Sequence, residues 1–186
     1  IVFTNNWLND GVKEDKFTML EKPLSIETPT VETRSPYISY PVGTIAVIYS
    51  ISKITGRESI GPAYLKILSV LFYGIEAVLI AIFISLLLGD VLKLQSRSGK
   101  IFLSVLLSLI WVLLPGNVYY LKNVFFVDQF VLVFTCLLLV LEVLRNYCNI
   151  TNTAAKVSIN ILMFITVFMG VSVDYYFWIQ VFVLCI

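Results

Sequence analysis

The chain has 186 residues, of which 59% are hydrophobic and 13% are charged, and its formal net charge is +1. Soluble domains usually carry about 25% charged residues, so this composition indicates an integral membrane protein and excludes an ordinary soluble domain. The nearly neutral charge gives no reason to expect nucleic acid as a partner. Histidine is absent and none of the three cysteines belongs to a CxxC pair, so neither a Ser-His-Asp triad nor a metal site is predicted.

The first two regions of the chain are predicted to lie outside the hydrocarbon core. Residues 1–36 are polar and contain three prolines and six acidic side chains, which predicts an acidic loop. Within it, the motif NDGVKEDKF predicts a short helix that begins at Asn9 or Asp10. In residues 37–63, the apolar run 42–54 is shorter than the roughly 20 residues that a transmembrane helix needs. We therefore expect a short helix that lies along the membrane interface or is re-entrant.

Residues 64–186 contain the apolar runs that are long enough to cross a bilayer. Leucine-rich runs predict four transmembrane helices and the start of a fifth, at about 64–90, 101–121, 124–144, 157–173 and from 179. The expected fold class is all-α, a polytopic transmembrane helical bundle with an outer-face loop and a short interfacial helix. Because residue 1 is not methionine and both ends are apolar, we expect a fragment of a longer protein.

Lysine and arginine in the short loops predict the orientation in the membrane. The loops 90–100 and 145–156 together carry five of these residues, whereas the turn 115–123 carries one, Lys122. By the positive-inside rule the two basic loops face the cytoplasm. The turn 115–123 and the long N-terminal loop then face the outer or lumenal side.

Two acidic residues in the predicted transmembrane helices are candidates for function, because ionisable groups at membrane depth are costly. Glu76 lies near the middle of the first transmembrane helix, where it either lines a buried cavity or forms a structural hydrogen bond to a neighbouring helix. Asp128 lies about one turn inside the outer end of the third, where the helix N-terminus stabilises a carboxylate. It either lines an outer-face site or serves as a helix cap or helix contact. Lys122 either pairs with Asp128 or meets a phosphate.

In the acidic loop, Asp10 is the strongest candidate for a general base. It follows Trp7 and Leu8, which are expected to dip into the interface and hold the carboxylate there. A carboxylate beside an apolar pocket is what a general base for a hydroxyl or amide acceptor needs.

Four segments give the sequence a resemblance to a known family: NDGVKED (9–15), SYPVGTIAVIYSISKITG (39–56), YLKILSVLF (64–72) and LLPGNVYYLKNVFFVDQFVLVF (113–134). In layout they resemble the polytopic GT-C glycosyltransferases, of the protein O-mannosyltransferase and lipid-phosphate-sugar-dependent mannosyltransferase types. Val42 stands where the family often has a second proline.

The resemblance implies a membrane-embedded hexosyltransferase that moves a sugar from a polyprenyl-phosphate carrier to a protein or lipid acceptor on the outer or lumenal face. The bilayer, the lipid-linked donor and the acceptor are then the partners, and no cofactor is needed. In such enzymes the acid of the first loop deprotonates or orients the acceptor, which implies Asp10 as the catalytic base and Asp128 as a second acid of the site. The resemblance also implies Arg34 and Lys122 as phosphate ligands and Tyr40 and Pro41 as the rim of the site. The predicted substrate-binding residues further include Asp15 and Glu76, on the sequence argument alone.

Two other functions fit parts of the sequence. An accessory subunit of a membrane complex, with other membrane subunits as partners, would explain apolar helices that only pack. A transporter would use Glu76 and the Pro115-Gly116 interruption as parts of a discontinuous helix. Convergence of Asp10, Asp128 and Lys122 on one cavity would favour the glycosyltransferase.

Overall fold

A computed structural model describes residues 1–21, 35–36, 41–122, 127–175 and 177–185, with the backbone alone at 21, 35–36, 120–122, 127–128, 180 and 184–185. The helices of this part are α1 Val2–Asn9, α2 Gly43–Ile54, α3 Pro62–Leu86, α4 Arg97–Leu113, α5 Pro115–Lys122, α6 Val127–Asn146, α7 Thr153–Val173 and α8 Phe177–Cys185. A π-helical segment, Leu87–Val91, continues α3. Two-residue strands, β1 Leu20–Glu21 and β2 Ser35–Pro36, pair antiparallel with Leu20 opposite Pro36. Apart from this short pair the described chain is helical, which confirms the all-α class.

Three helices of the described part are long and apolar enough to cross a membrane: Pro62–Val91, Gln129–Asn146 and Thr153–Val173. Their outward surfaces are apolar, as lipid contact requires: Phe164 and Phe168 of α7 are 72% and 63% exposed. The number of membrane crossings and the side on which each loop lies stay predictions. α2 is a shorter apolar helix of 12 residues.

The chain leaves the helical conformation between α4 and α5. Leu114 has an extended ψ of 135°. The cause is Pro115, because a proline disfavours the helical conformation in the residue before it, yet suits the first position of a new helix. The 17 residues of α4 therefore end after about 26 Å, at a rise of 1.5 Å per residue.

Contacts near the two ends of α3 and α6 show that these helices run in the same direction. Near their beginnings, the Ser69 hydroxyl donates a hydrogen bond to Gln129 Oε1 at 2.8 Å. Near their ends, Cys148 Sγ donates to Asp90 Oδ2 at 3.4 Å. The loops 90–100 and 145–156 therefore lie at one end of the bundle, and α1 and α2 lie at the other.

The apolar core lies towards the end of the bundle where α2 attaches. α3 packs along α4 and α6, and α6 packs along α7. Phe72 of α3 meets Phe130 of α6 with ring centroids 4.5 Å apart. The buried cluster comprises Ile48, Ile60, Leu65, Leu68, Phe130, Val131, Leu138, Val173 and Phe177.

Gly43 lets α2 approach the end of α7 at backbone distance. A Cβ atom at Gly43 would lie 2.1 Å from the carbonyl oxygen of Ser172 and 2.8 Å from the backbone nitrogen of Val173. Both obstacles are backbone atoms, so they cannot rotate away as a side chain would. Only glycine fits here without moving one of the two helices.

We expect Gly43→Ala to lower the free energy of unfolding by about 1–3 kcal/mol, the usual cost of overpacking a well-packed contact. The measurement is the unfolding of the purified protein in detergent. Gly74→Ala is the matched control, because a Cβ at Gly74 meets nothing within 4 Å. Alanine is also the better helix former by about 1 kcal/mol, so this variant should keep or gain stability. Equal stability of the two variants would contradict the close approach.

The Cys148 thiol and the Asp90 carboxylate give a second test of the fold. Burial, together with the hydrogen bond to Asp90 and the negative charge of its carboxylate, raises the pKa of the Cys148 thiol above its ordinary value, while Lys93 acts in the opposite direction. A raised thiol pKa means less thiolate, and hence slower alkylation, at a given pH.

With Cys136 and Cys185 replaced by alanine, the pH midpoint for alkylation of Cys148 by N-ethylmaleimide should lie above the ordinary thiol value of about 8.5. Asp90→Asn should shift this midpoint downward, because it removes the negative charge that opposes the thiolate. Glu142→Gln serves as the control, since the Glu142 carboxylate accepts a hydrogen bond from Asn146 instead. An unchanged midpoint in Asp90→Asn would mean that the loops 90–100 and 145–156 do not meet at Asp90 and Cys148.

Candidate functional site

Residues 10–19, which we call the acidic segment, begin where α1 ends and lead to β1. Asp10 is the C-terminal cap of α1, and its backbone N–H bonds to the carbonyl of Asn6. Gly11 follows with a φ of +94°, the left-handed conformation with which helices commonly end. The prediction of a helix that starts at Asn9 or Asp10 is therefore wrong. The same Asn-Asp-Gly residues end a helix here, because glycine at this position is a termination signal.

Three consecutive side chains of α1 tie this segment to the rest of the fold. Asn5 exchanges two hydrogen bonds with the backbone of Ile60, at 3.1 Å and 2.8 Å. Asn6 Nδ2 donates to the carbonyl of Leu20 at 3.0 Å, and Trp7 Nε1 donates to the carbonyl of Thr18 at 2.7 Å. α1 thus holds both the acidic segment and the connection between α2 and α3.

A cleft of about 690 Å³ lies between the acidic segment and α2, and we call it the α1–α2 cleft. This volume falls within the roughly 300–1,000 Å³ of sites for small molecules. Trp7, only 3% exposed, forms part of the lining and meets the Tyr49 ring edge-on at 5.7 Å. The other lining residues are Asp10, Gly11, Val12, Lys13, Glu14 and Phe17 from the segment, Val42 at the N-cap of α2, and Ala46, Tyr49 and Ser50 from α2.

The backbone beside the cleft is strained. Lys16 and Phe17 both have left-handed φ values, 53° and 56°, which non-glycine residues rarely adopt. Each such residue costs about 1–3 kcal/mol, and such strain clusters at ligand sites. The turn holds Phe17 at the cleft with 63% of its surface exposed. The strained turn thus presents an exposed aromatic ring to the cleft.

The lining of the cleft combines charged and aromatic side chains. Asp10 and Glu14 contribute carboxylates and Lys13 an ammonium group. Lys53 lies beside the cleft, outside its lining, with its Nζ 5.8 Å from the centroid of the Tyr49 ring. Carboxylates accept hydrogen bonds or protons from hydroxyl and amide groups, and ammonium groups bind phosphate. The cleft can therefore hold a polar molecule with aromatic contacts and take a proton from it.

The other predicted site residues of the described part lie in different places. Asp15 is fully buried, outside the cleft lining, and its carbonyl accepts a hydrogen bond from the Thr18 hydroxyl at 2.6 Å. Pro41 is half-buried and immediately precedes Val42 of the cleft. Glu76 lies within the helical bundle, 2% exposed.

The side chains of four predicted site residues are outside the described part of the structure. Arg34 and Tyr40 lie outside the described residues. Lys122, the last residue of α5, and Asp128, the second of α6, are described by their backbone alone. The convergence of Asp10, Asp128 and Lys122 on one cavity stays a prediction.

Sequence reasoning missed four residues in or beside the cleft: Lys13, Glu14, Tyr49 and Lys53. Lys13 and Glu14 belong to the NDGVKED motif that singled out Asp10 and Asp15. Tyr49 and Lys53 share a helix face with Val42 and Ala46, at the spacing of three, four and seven residues that marks one side of a helix. Plotting residues 42–54 as a helix would have found this face.

Glu76 forms a polar contact between two helices. Its Oε1 accepts a hydrogen bond from Trp111 Nε1 of α4 at 2.6 Å. One turn away the Ser108 hydroxyl donates to the carbonyl of Ala77 at 2.7 Å, and Tyr73 donates to the carbonyl of Val112. These contacts join α3 to α4 along one stripe, and they give Glu76 a structural partner.

A double-mutant cycle of Glu76→Leu and Trp111→Phe should give a coupling free energy of about 0.6 kcal/mol, the average for hydrogen bonds between membrane helices, and at most about 1.7 kcal/mol. Trp111→Phe alone should destabilise the protein, because it removes the indole N–H that Glu76 accepts. The measurement is the free energy of unfolding in mixed detergent micelles. Trp178→Phe, at a tryptophan of α8 that is 58% exposed, is the control and should show no coupling to Glu76→Leu. Absence of coupling in the Trp111 cycle would refute a structural role for the contact.

Comparison of this chain with protein-family models, with curated proteins and with solved structures gave no match.

Proposed function

We propose that this chain belongs to a membrane glycosyltransferase of the GT-C type, which moves a sugar from a polyprenyl-phosphate carrier to an acceptor on the outer or lumenal face. The observation that supports the proposal best is the α1–α2 cleft, in which the carboxylates of Asp10 and Glu14 stand opposite a short apolar helix. The four segments that resemble this family include both walls of the cleft, NDGVKED and the helix that follows Tyr40-Pro41.

The form of α2 suits a site at the membrane surface. With 12 residues it is about 18 Å long, well short of the roughly 30 Å hydrocarbon core. A short apolar helix of this kind lies at the interface, where a lipid-linked sugar emerges from the bilayer. The aromatic rings of Trp7, Phe17 and Tyr49 offer flat apolar surfaces to the faces of a sugar ring.

In the proposed reaction, the oxygen or nitrogen of the acceptor attacks carbon 1 of the sugar. The Asp10 carboxylate takes the proton of the attacking group, and the bond from carbon 1 to the phosphate oxygen breaks. The electron pair of that bond leaves with the polyprenyl phosphate. Lys13 and Lys53 stabilise the negative charge of the departing phosphate, together with Arg34 and Lys122, which the family resemblance implies as phosphate ligands.

The two other functions receive less support. The hydrogen bond between Glu76 and Trp111 gives this carboxyl a structural partner, which weakens the main argument for a transporter. An accessory subunit has no need of carboxylates in an aromatic cleft, and the experiment on Asp10 separates it from an enzyme.

Asp10→Asn in the full-length protein should lower the rate of sugar transfer by about 10²–10⁴-fold, the usual contribution of a general base. The rate falls because the amide cannot accept the proton. The amount of folded protein in the membrane should not change, because the amide has the same shape as the carboxylate. The measurement is transfer of labelled mannose from synthetic polyprenyl-phosphate mannose in membranes that contain the protein, followed by the same assay with other polyprenyl-phosphate hexoses.

Glu58→Gln is the matched control, because Glu58 is an exposed acid of the connection between α2 and α3 and lies outside the cleft lining. It should transfer at the wild-type rate. Wild-type rates in Asp10→Asn would remove Asp10 from the mechanism. A wild-type protein that transfers none of the offered sugars would favour the accessory subunit instead.

A further inference from the structure

A second cleft lies at the opposite end of the bundle, where α6 ends and α7 begins. It has a volume of about 200 Å³ and is lined by Arg145, Asn146, Ile150, Lys156, Ile159 and Asn160, and we call it the α6–α7 cleft. Its lining comes from both helices and from the loop between them. The proposed function makes no use of any of these residues.

The position of the α6–α7 cleft follows from the helices that form it. The segments Gln129–Asn146 and Thr153–Val173 are both long and apolar enough to cross a membrane. The loop that joins them must then lie at the boundary between hydrocarbon and water. Phospholipid phosphates lie at this same depth, so a lipid headgroup reaches the cleft without leaving the bilayer.

Cations from both helices meet in this cleft. Arg145 belongs to the last turn of α6, where the helix dipole favours a positive charge. Lys156 lies in the first turn of α7, where the dipole disfavours a positive charge, and this turn contains no acidic residue. A bound anion would relieve the unfavourable position of Lys156 and would also meet the guanidinium of Arg145.

Carboxylates also lie near these cations. Glu142 is 4.0 Å from Arg145 Nη1 and accepts a hydrogen bond from Asn146. A guanidinium carries five N–H donors in a planar fork, so this one long contact leaves donors for a second anion. The Asp90 carboxylate is hydrogen-bonded to Cys148 of the same loop, and Lys93 lies near that thiol. Among the described residues, three cations therefore stand against two carboxylates here, and the surroundings of the cleft stay positive.

The size and lining of the cleft narrow down the ligand. A volume of 200 Å³ is below the roughly 300–1,000 Å³ of sites for drug-sized molecules, so only a compact group enters. Asn146 and Asn160 offer amide donors to phosphate oxygens, and Ile150 and Ile159 offer an apolar wall. Arginine, lysine and amide donors beside apolar side chains suit a phosphate that is attached to a hydrocarbon chain.

We propose that the α6–α7 cleft binds a phosphate group, carried by the headgroup of an anionic phospholipid. The phosphate contacts Arg145 and Lys156, and the glycerol end of the lipid lies along Ile150 and Ile159. This inference does not rest on the proposed glycosyltransferase activity.

The test uses the purified full-length protein in detergent, titrated with phosphatidylglycerol and, separately, with phosphatidylcholine, with bound lipid counted by native mass spectrometry. The wild type should bind phosphatidylglycerol more tightly than phosphatidylcholine. The double variant Arg145→Gln and Lys156→Gln should bind phosphatidylglycerol about 30-fold more weakly, given the usual contribution of a basic residue near an anionic headgroup.

The matched control is the double variant Arg97→Gln and Lys100→Gln, which removes two cations from the same end of the bundle but outside the cleft lining. It should change the affinity by less than about threefold, because separated surface charges are screened within about 10 Å. An equal loss of affinity in both double variants would overturn the proposal, since it would mean that the total charge attracts the lipid. Asn160→Ala keeps both cations and should still weaken binding, and an unchanged affinity in this variant would also count against the cleft.

Competition with inorganic phosphate distinguishes a phospholipid headgroup from free phosphate as the ligand of the α6–α7 cleft. At a few times the concentration of the lipid, phosphate should leave the bound phosphatidylglycerol in place, because it lacks the hydrocarbon that contacts Ile150 and Ile159. Full displacement at that concentration would overturn the assignment to a lipid and assign the cleft to free phosphate. Equal binding of phosphatidylcholine and phosphatidylglycerol would overturn a site that selects anionic headgroups.

Discussion

The hydrogen bond from Trp111 to Glu76 satisfies a carboxyl group that the hydrocarbon core would otherwise make very costly. Lipid chains are as apolar as leucine, so apolar contact alone gives membrane helices little reason to associate. Interhelical hydrogen bonds and close packing must hold them together instead. α3 has the polar side chains for this: Ser69 faces α6, while Tyr73 and Glu76 face α4. The spacing of four and three residues places these three side chains on one side of α3. Since their partners belong to two different helices, α3 is the element to which both α4 and α6 are fixed.

The arrangement around α3 positions the α1–α2 cleft. α2 precedes α3 directly, and Gly43 fixes the other end of α2 against the backbone of Ser172 in α7. Asn5 then fixes α1 to the backbone of Ile60, between α2 and α3. The acidic segment continues directly from α1, and hydrogen bonds from Asn6 and Trp7 hold its far end at Leu20 and Thr18. A cleft built in this way can carry the strained turn at Lys16 and Phe17, because the surrounding structure over-determines it.

The sequence predicts what depends on local chemistry. The apolar lengths predict the all-α class and the short α2, since each follows from composition over a few turns. The predicted helix start at Asn9 or Asp10 is wrong because Asn, Asp and Gly occur near both ends of helices, and only the position of Gly11 after the cap decides between the two ends. Asp15 is predicted to bind the substrate, yet its side chain is fully buried and lies outside the lining of the cleft. The contact of Gly43 with Ser172 and that of Cys148 with Asp90 join residues distant in sequence, and no local pattern encodes such pairs.

The distance between the α1–α2 cleft and the α6–α7 cleft decides whether one phosphate could serve both proposed sites. They lie at opposite ends of the bundle, and the 20 residues of α6 span about 30 Å at 1.5 Å per residue. A lipid phosphate held by Arg145 and Lys156 is therefore too far from Asp10 to be the leaving group of the proposed transfer. At the proposed site this lipid would lie in the opposite leaflet, where it would anchor the connection between α6 and α7. Since α6 also packs on α3 at Ser69, a lipid that fixes one end of α6 would stabilise the helix pair on which the α1–α2 cleft is built.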